Sequence, residues 1–80
     1  MATRAERNRA RHARLDLLER ALPLIKARWG ASQSLRAEFG DREDVFNAYL
    51  RGNLASDRPK PLPHQLQGID LGAPVDSPQK

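Results

Sequence analysis

The run Thr3 to Arg14, TRAERNRARHAR, carries the densest set of chemically useful side chains in the sequence. Arg4, Arg7, Arg9, Arg11 and Arg14 each present a rigid fork of donors, which suits the oxygens of phosphate or carboxylate better than a lysine ammonium does. Asn8 adds an amide that can pair with the edge of a base. These six residues are the candidate nucleic-acid contacts, with the arginines on phosphate and Asn8 on a base.

Other reactive groups are scattered. Asp41, Glu43 and Asp44 are clustered, but acids collect at a helix amino terminus for electrostatic reasons alone. His12 lies among arginines, and His64 lies in a proline-rich stretch without a second ligand near it. Ser32, Ser34 and Ser56 have no histidine and acid spaced to activate them. Cysteine is absent, which excludes disulfides and thiolate metal sites. A non-enzymatic protein with no catalytic residue, metal or cofactor is the expectation.

The charge is unevenly spread. Residues 1–30 hold eight basic and three acidic residues, net +5; residues 31–58 hold four and five, net −1; residues 59–80 hold two and two. The overall balance of +4 and the pI near 10.3 therefore belong to the first third. A basic arm of this kind points to nucleic acid or to an acidic protein surface. The opposite explanation, that arginine here serves only solubility, has equal standing on composition.

The element that must carry the basic run is a helix organised around Leu15–Trp29. Leu15, Leu18, Leu22, Ile25 and Trp29 follow a 3-4-3-4 spacing, which puts all five on one face. Traced backwards, that face meets Arg11, Asn8 and Arg4, so it turns from apolar to polar before residue 15. Pro23 removes one helical hydrogen bond and predicts a kinked helix, or two short ones meeting near Leu22. Gly30 reads as the helix stop.

Ser32 is a good N-cap for a second helix over Gln33–Phe39, closed by Gly40. Asp41 reads as the cap of a third helix, with Asp44 three positions on, Val45, Phe46, Tyr49 and Leu50 as its apolar face, and Gly52 as its stop. Five of the six prolines follow residue 56, and Pro59, Pro61 and Pro63 alternate, which favours extended polyproline conformation. Leu62, Leu66, Ile69, Leu71 and Val75 are spaced to drape this tail over a surface. The fold expected is all-α: residues 1–14 a partly ordered helical arm, 15–54 a three-helix unit with a long kinked first helix and two short ones, and 55–80 an extended Pro/Gly-rich tail. About forty residues of core is small enough to call for oligomerisation or a partner. The exposed apolar face, with Leu18, Leu22, Ile25 and Trp29, is the expected partner-binding surface of a homo-oligomer or heteromeric complex.

Two partial resemblances bear on function. The run Thr3–Arg14 resembles the arginine-rich helical motifs of small phage antiterminators, in which a short helix enters an RNA groove. Leu35, Phe39, Gly40, Phe46 and Gly52 are similar to the middle of a phage-repressor-like helix-turn-helix, which implies DNA binding by the third helix. The sequence departs from that pattern where Ala37 replaces an alanine expected one position earlier, and where Arg42, Glu43, Asp44 and Asn47 put acids at the head of the would-be recognition helix. The leading expectation is a small regulatory nucleic-acid-binding protein that grips the phosphate backbone through its basic arm. A helical protein-interaction module and a divergent helix-turn-helix protein are the alternatives. No run is long enough to span a bilayer and no secretory segment opens the chain, so a cytoplasmic location and no membrane partner are expected.

Overall fold

The structure, a computed structural model, describes residues 3–72. It is all-α: α1 spans Arg4–Ala31, α2 spans Gln33–Glu38, α3 spans Glu43–Leu54, and a single 3₁₀ turn covers His64–Leu66. Of the two outcomes expected at Pro23, one continuous helix is what forms; Pro23 is an exposed residue within α1. At about 1.5 Å per residue, 28 residues account for the 40 Å long axis of the molecule.

The arm is helical from Arg4 and continuous with the rest of α1. Thr3 and Glu6 form a capping box: the Glu6 amide donates to Thr3 Oγ1 at 3.1 Å, and the Thr3 amide donates to Glu6 Oε1 at 2.8 Å. Two orphan amides at the helix start are satisfied at once. Thr3-Arg4-Ala5-Glu6 carries this signature openly in the sequence.

Three element boundaries differ from expectation, each for a physical reason. Gly30 lies inside α1, which ends one residue later with Ser32 as its cap. The carbonyls left over there do not need a glycine turn, because Arg36 reaches back from α2 and donates to Trp29 O at 2.9 Å and Gly30 O at 2.5 Å. Asp41 is not the cap of α3. Gly40 and Asp41 both take left-handed backbone, φ 69° and 60°, and Asp41 N–H bonds to Arg36 O while Gly40 N–H bonds to Ala37 O. That pair of bonds is a Schellman closure of α2, so Asp41 belongs to the preceding turn and Arg42 becomes the N-cap. Gly52, finally, sits within α3, because the helix runs on to bury Leu54.

The core draws on all four elements and the strap that follows α3. Leu18, Ala21, Ile25 and Trp29 of α1 meet Leu35, then Phe46, Leu50 and Leu54, then Leu62, Leu66, Ile69 and Leu71. The Trp29 and Phe46 rings stack at 5.0 Å, and Phe39 meets Phe46 edge-on at 5.1 Å. Composition changes at residue 55, but packing does not: four apolar side chains of the strap are as buried as those of the helices. At roughly 1.5–3 kcal/mol for each large apolar side chain taken from water, they are a substantial share of a core this small. His64–Leu66 forms its 3₁₀ turn directly after the alternating prolines. Val75 lies outside the described residues.

Candidate nucleic-acid interface

The path of the strap is set by two arginines of α1. Arg14 donates to Leu54 O at 2.9 Å through Nε and to Ser56 O at 2.6 Å through Nη2. Arg28 donates through Nη1 to Gln65 O at 2.9 Å and Gln67 O at 2.7 Å. A Cβ at Gly68 would stand 3.4 Å from the Arg28 guanidinium, and one at Gly72 would stand 3.1 Å from Arg14 Cγ. The strap therefore leaves α3 at Arg14, reaches Arg28, and returns along α1 to Arg14. Gly72 has φ +72° and no side chain, and both are needed for that last approach.

This geometry corrects one candidate contact. Arg14 is buried, and its guanidinium is committed to backbone carbonyls of the chain. It is a clamp, and it is not presented to phosphate. Its donor fork, which marked it as an anion contact, is what caps the carboxyl end of α3.

The remaining contacts lie beyond the core on the same helix. Arg4, Arg7 and Arg9 are exposed, and Asn8 and Arg11 are half-buried. Arg11 Nη2 donates to Asn8 Oδ1. Arg11 Nε is enclosed without a hydrogen-bond partner. Going up from Arg14, steps of three, four and three reach Arg11, Arg7 and Arg4, which continue the stripe that holds Leu18, Ile25 and Trp29 lower down. Arg9 falls outside that stripe. The arm thus carries arginines on more than one side of the helix.

The acids of the molecule are arranged differently. Glu6 is the only acid of residues 3–14, and its carboxylate accepts the Thr3 amide in the cap. Elsewhere among the described residues five ion pairs form: Arg20 with Asp16, Lys26 with Glu43, Arg36 with Asp41, Arg42 with Asp44 and Arg51 with Glu19, at 3.0–3.6 Å. The Arg42 guanidinium, bonded to the Asp44 carboxylate, holds that group below the usual carboxylate range. Individually such exposed pairs add little stability. Two of them, Lys26–Glu43 and Arg42–Asp44, pair the acids at the head of α3, where a recognition helix would present its reading residues.

The residues expected to bind a partner pack inside the chain itself. Leu18, Ile25 and Trp29 are buried in the chain's own core, and Leu22 packs half-buried against it. The strap completes the cover that α2 and α3 begin, so these four side chains are not offered to a partner in this fold. Leu24, at 59% exposed, is the large apolar side chain of α1 left in solvent.

His12 and His64 are exposed and far apart in the chain, and among the described residues no three of His, Cys, Asp or Glu gather in a metal-binding group. No helix among the described residues is long and apolar enough to cross a membrane. The architecture defines a small all-α body, closed by a clamped strap, with a basic helical arm running beyond it. No protein-family model, curated protein or solved structure matches this chain.

Proposed function

We propose that this chain is a small nucleic-acid-binding protein that contacts the phosphate backbone through the arm Arg4, Arg7, Arg9 and Arg11, with Asn8, whose Oδ1 accepts from Arg11, as a base contact through its amide nitrogen. One observation carries the reading: the arm is a capped helix with four arginines and a single acid that is engaged in the cap, whereas the body mixes both signs of charge and joins ten of them in five ion pairs. A cationic helix that starts folded has less ordering entropy to lose on binding a polyanion than a disordered basic tail has. Guanidinium groups on more than one side suit a groove that encloses the helix better than a flat surface.

Docking through the apolar face of residues 15–29 has less support, because the strap already occupies that face. A helix-turn-helix reading has less support for a similar reason: Glu43 and Asp44 stand at the head of α3 in pairs with Lys26 and Arg42.

The test is fluorescence anisotropy with a labelled RNA or DNA duplex across a salt series. Affinity is expected to fall steeply with salt, and the triple variant Arg4→Ala, Arg7→Ala, Arg9→Ala to lower the slope of log K against log salt by roughly 2–3, at about 0.9 per phosphate contact. Binding that ignores both salt and the triple variant would overturn the reading.

A further inference from the structure

A second cationic element follows α3. Arg14 joins α1 to Ser56, and residues 56–60 follow directly as a tight loop. Asn53 closes that loop from inside α3: its amide nitrogen donates to Lys60 O at 3.0 Å, and its Oδ1 accepts the Lys60 amide at 2.8 Å. The Arg58 amide donates to Ser56 Oγ at 3.2 Å. The backbone carrying Arg58 and Lys60 is therefore held at both ends. The ion pairs among the described residues leave Arg58 and Lys60 out.

Between the loop and α3 lies an open cavity of about 390 Å³, lined by Tyr49, Gly52, Asn53, Arg58 and Lys60. That volume is within the range of small-ligand sites, at its lower end. Tyr49 is 38% exposed, and its ring is steadied by Phe39 at a centroid distance of 5.4 Å. Gly52 leaves open space beside it, with nothing within 4 Å of where a Cβ would be. An aromatic ring packed on one side by Phe39 and partly exposed, flanked by two cations outside the ion pairs, matches the requirements of an unpaired nucleotide. The base stacks on the ring and the phosphates on either side meet the cations. Paired bases hide their faces in a duplex, so the cavity selects single strands.

We infer that Tyr49, Arg58 and Lys60 form a second nucleic-acid site, specific for an unpaired nucleotide, between the exposed side of α3 and the loop that follows it. This rests on the nucleic-acid reading of the arm and adds to it: the preferred ligand is a duplex that opens into a single strand, with the paired part on the arm and the unpaired part at Tyr49.

The experiment compares oligouridine, oligothymidine and a blunt RNA duplex by anisotropy, with circular dichroism verifying the fold of each variant. Tyr49→Ala is expected to weaken both single-stranded probes on the order of tenfold and to leave the duplex unchanged, while Tyr49→Phe retains wild-type binding. Arg58→Ala with Lys60→Ala is expected to lower the single-strand salt slope by about 1.4, at roughly 0.7 per phosphate contact. The inference is overturned if Tyr49→Ala is silent, if it weakens duplex and single strand alike, or if Tyr49→Phe loses as much as Tyr49→Ala. Should Tyr49→Ala fail to fold, the phenylalanine variant and the double variant decide. Binding that depends on the arm arginines but not on Tyr49, Arg58 or Lys60 removes only this second site, whereas a wild-type protein that binds no probe removes the arm reading as well. Equal binding of the two oligonucleotides supports a site that reads base and phosphate, and a preference for oligouridine supports one that also reads the 2′-hydroxyl.

Discussion

Arg14 and Arg9 lie five residues apart on one helix and have the same side chain, yet their surroundings give them different work. Arg14 is enclosed, and both of its engaged nitrogens bond to carbonyls at the end of α3. Arg9 is exposed on the arm. Arg28 and Arg36 share the pattern of Arg14: each donates to two carbonyls at the end of a helix or turn. Arginine in this molecule therefore has two uses. Enclosed against the end of an element, it satisfies carbonyls that have no helical partner; exposed, as at Arg9, Arg20 or Arg58, it supplies charge to the surface.

The largest effect that bears on this division concerns how far the body extends. If the strap is part of it, Leu66→Ala removes a fully buried side chain from a shared core and should cost about 3–5 kcal/mol. Thermal melts followed by helical circular dichroism and by Trp29 fluorescence should move down together, by more than 10 °C at roughly 4–8 °C per kcal/mol. A strap that merely rests on the helices would leave the helical melt in place.

Arg14→Ala comes next. It removes two charge-assisted hydrogen bonds and leaves Leu54 O without its side-chain donor, a loss of about 2–3 kcal/mol. Arg9→Ala, the same substitution on the same helix, should change stability by less than about 0.5 kcal/mol. A chemical-denaturation pair measures both. Equal losses would erase the distinction between clamp and arm.

Much of the fold is legible in the sequence, and the exceptions follow a rule. The apolar spacing of α1, the Ser32 cap and the Gly40 stop depend on neighbours within a few residues, and each is where the pattern puts it. Gly30 and Gly52 look like stops and are not. At the end of α1 the decisive partner is Arg36 from α2; at the end of α3 it is Arg14, forty residues away. Asp41 shows the local version of the same limit, since one residue cannot both complete a Schellman turn and cap the next helix. The arm was legible as a charge run, but a guanidinium that serves as a clamp cannot be told from one that serves as a contact without knowing what lies across from it. The loop cations Arg58 and Lys60 left no signal in the sequence beyond their charge. Their place beside α3 depends on Asn53, which closes the loop onto that helix from seven residues away.

The smallest effect is at the head of α3 and sharpens the comparison from the compensated side. Arg42 bonds Asp44 at 3.0 Å and holds its carboxyl below the ordinary value of 3.8. A carboxyl whose pKa is lower in the folded state stabilises the fold above its unfolded value. That contribution is lost as pH falls from about 3.8 through the folded pKa. Because the group is fully exposed, the contribution is small, and the informative readout is the titration itself. By NMR, the Asp44 carboxyl should titrate below 3.8 in the wild type and move back towards it in Arg42→Ala. In the duplex-binding assay the same variant should leave the salt slope unchanged, since the charge it removes is already paired within the body. A slope that falls by about 0.9 would mean that Arg42 meets a phosphate. The head of α3 would then join the arm as a contact surface, and the helix-turn-helix reading would gain the support that the ion pairs at this end now withhold.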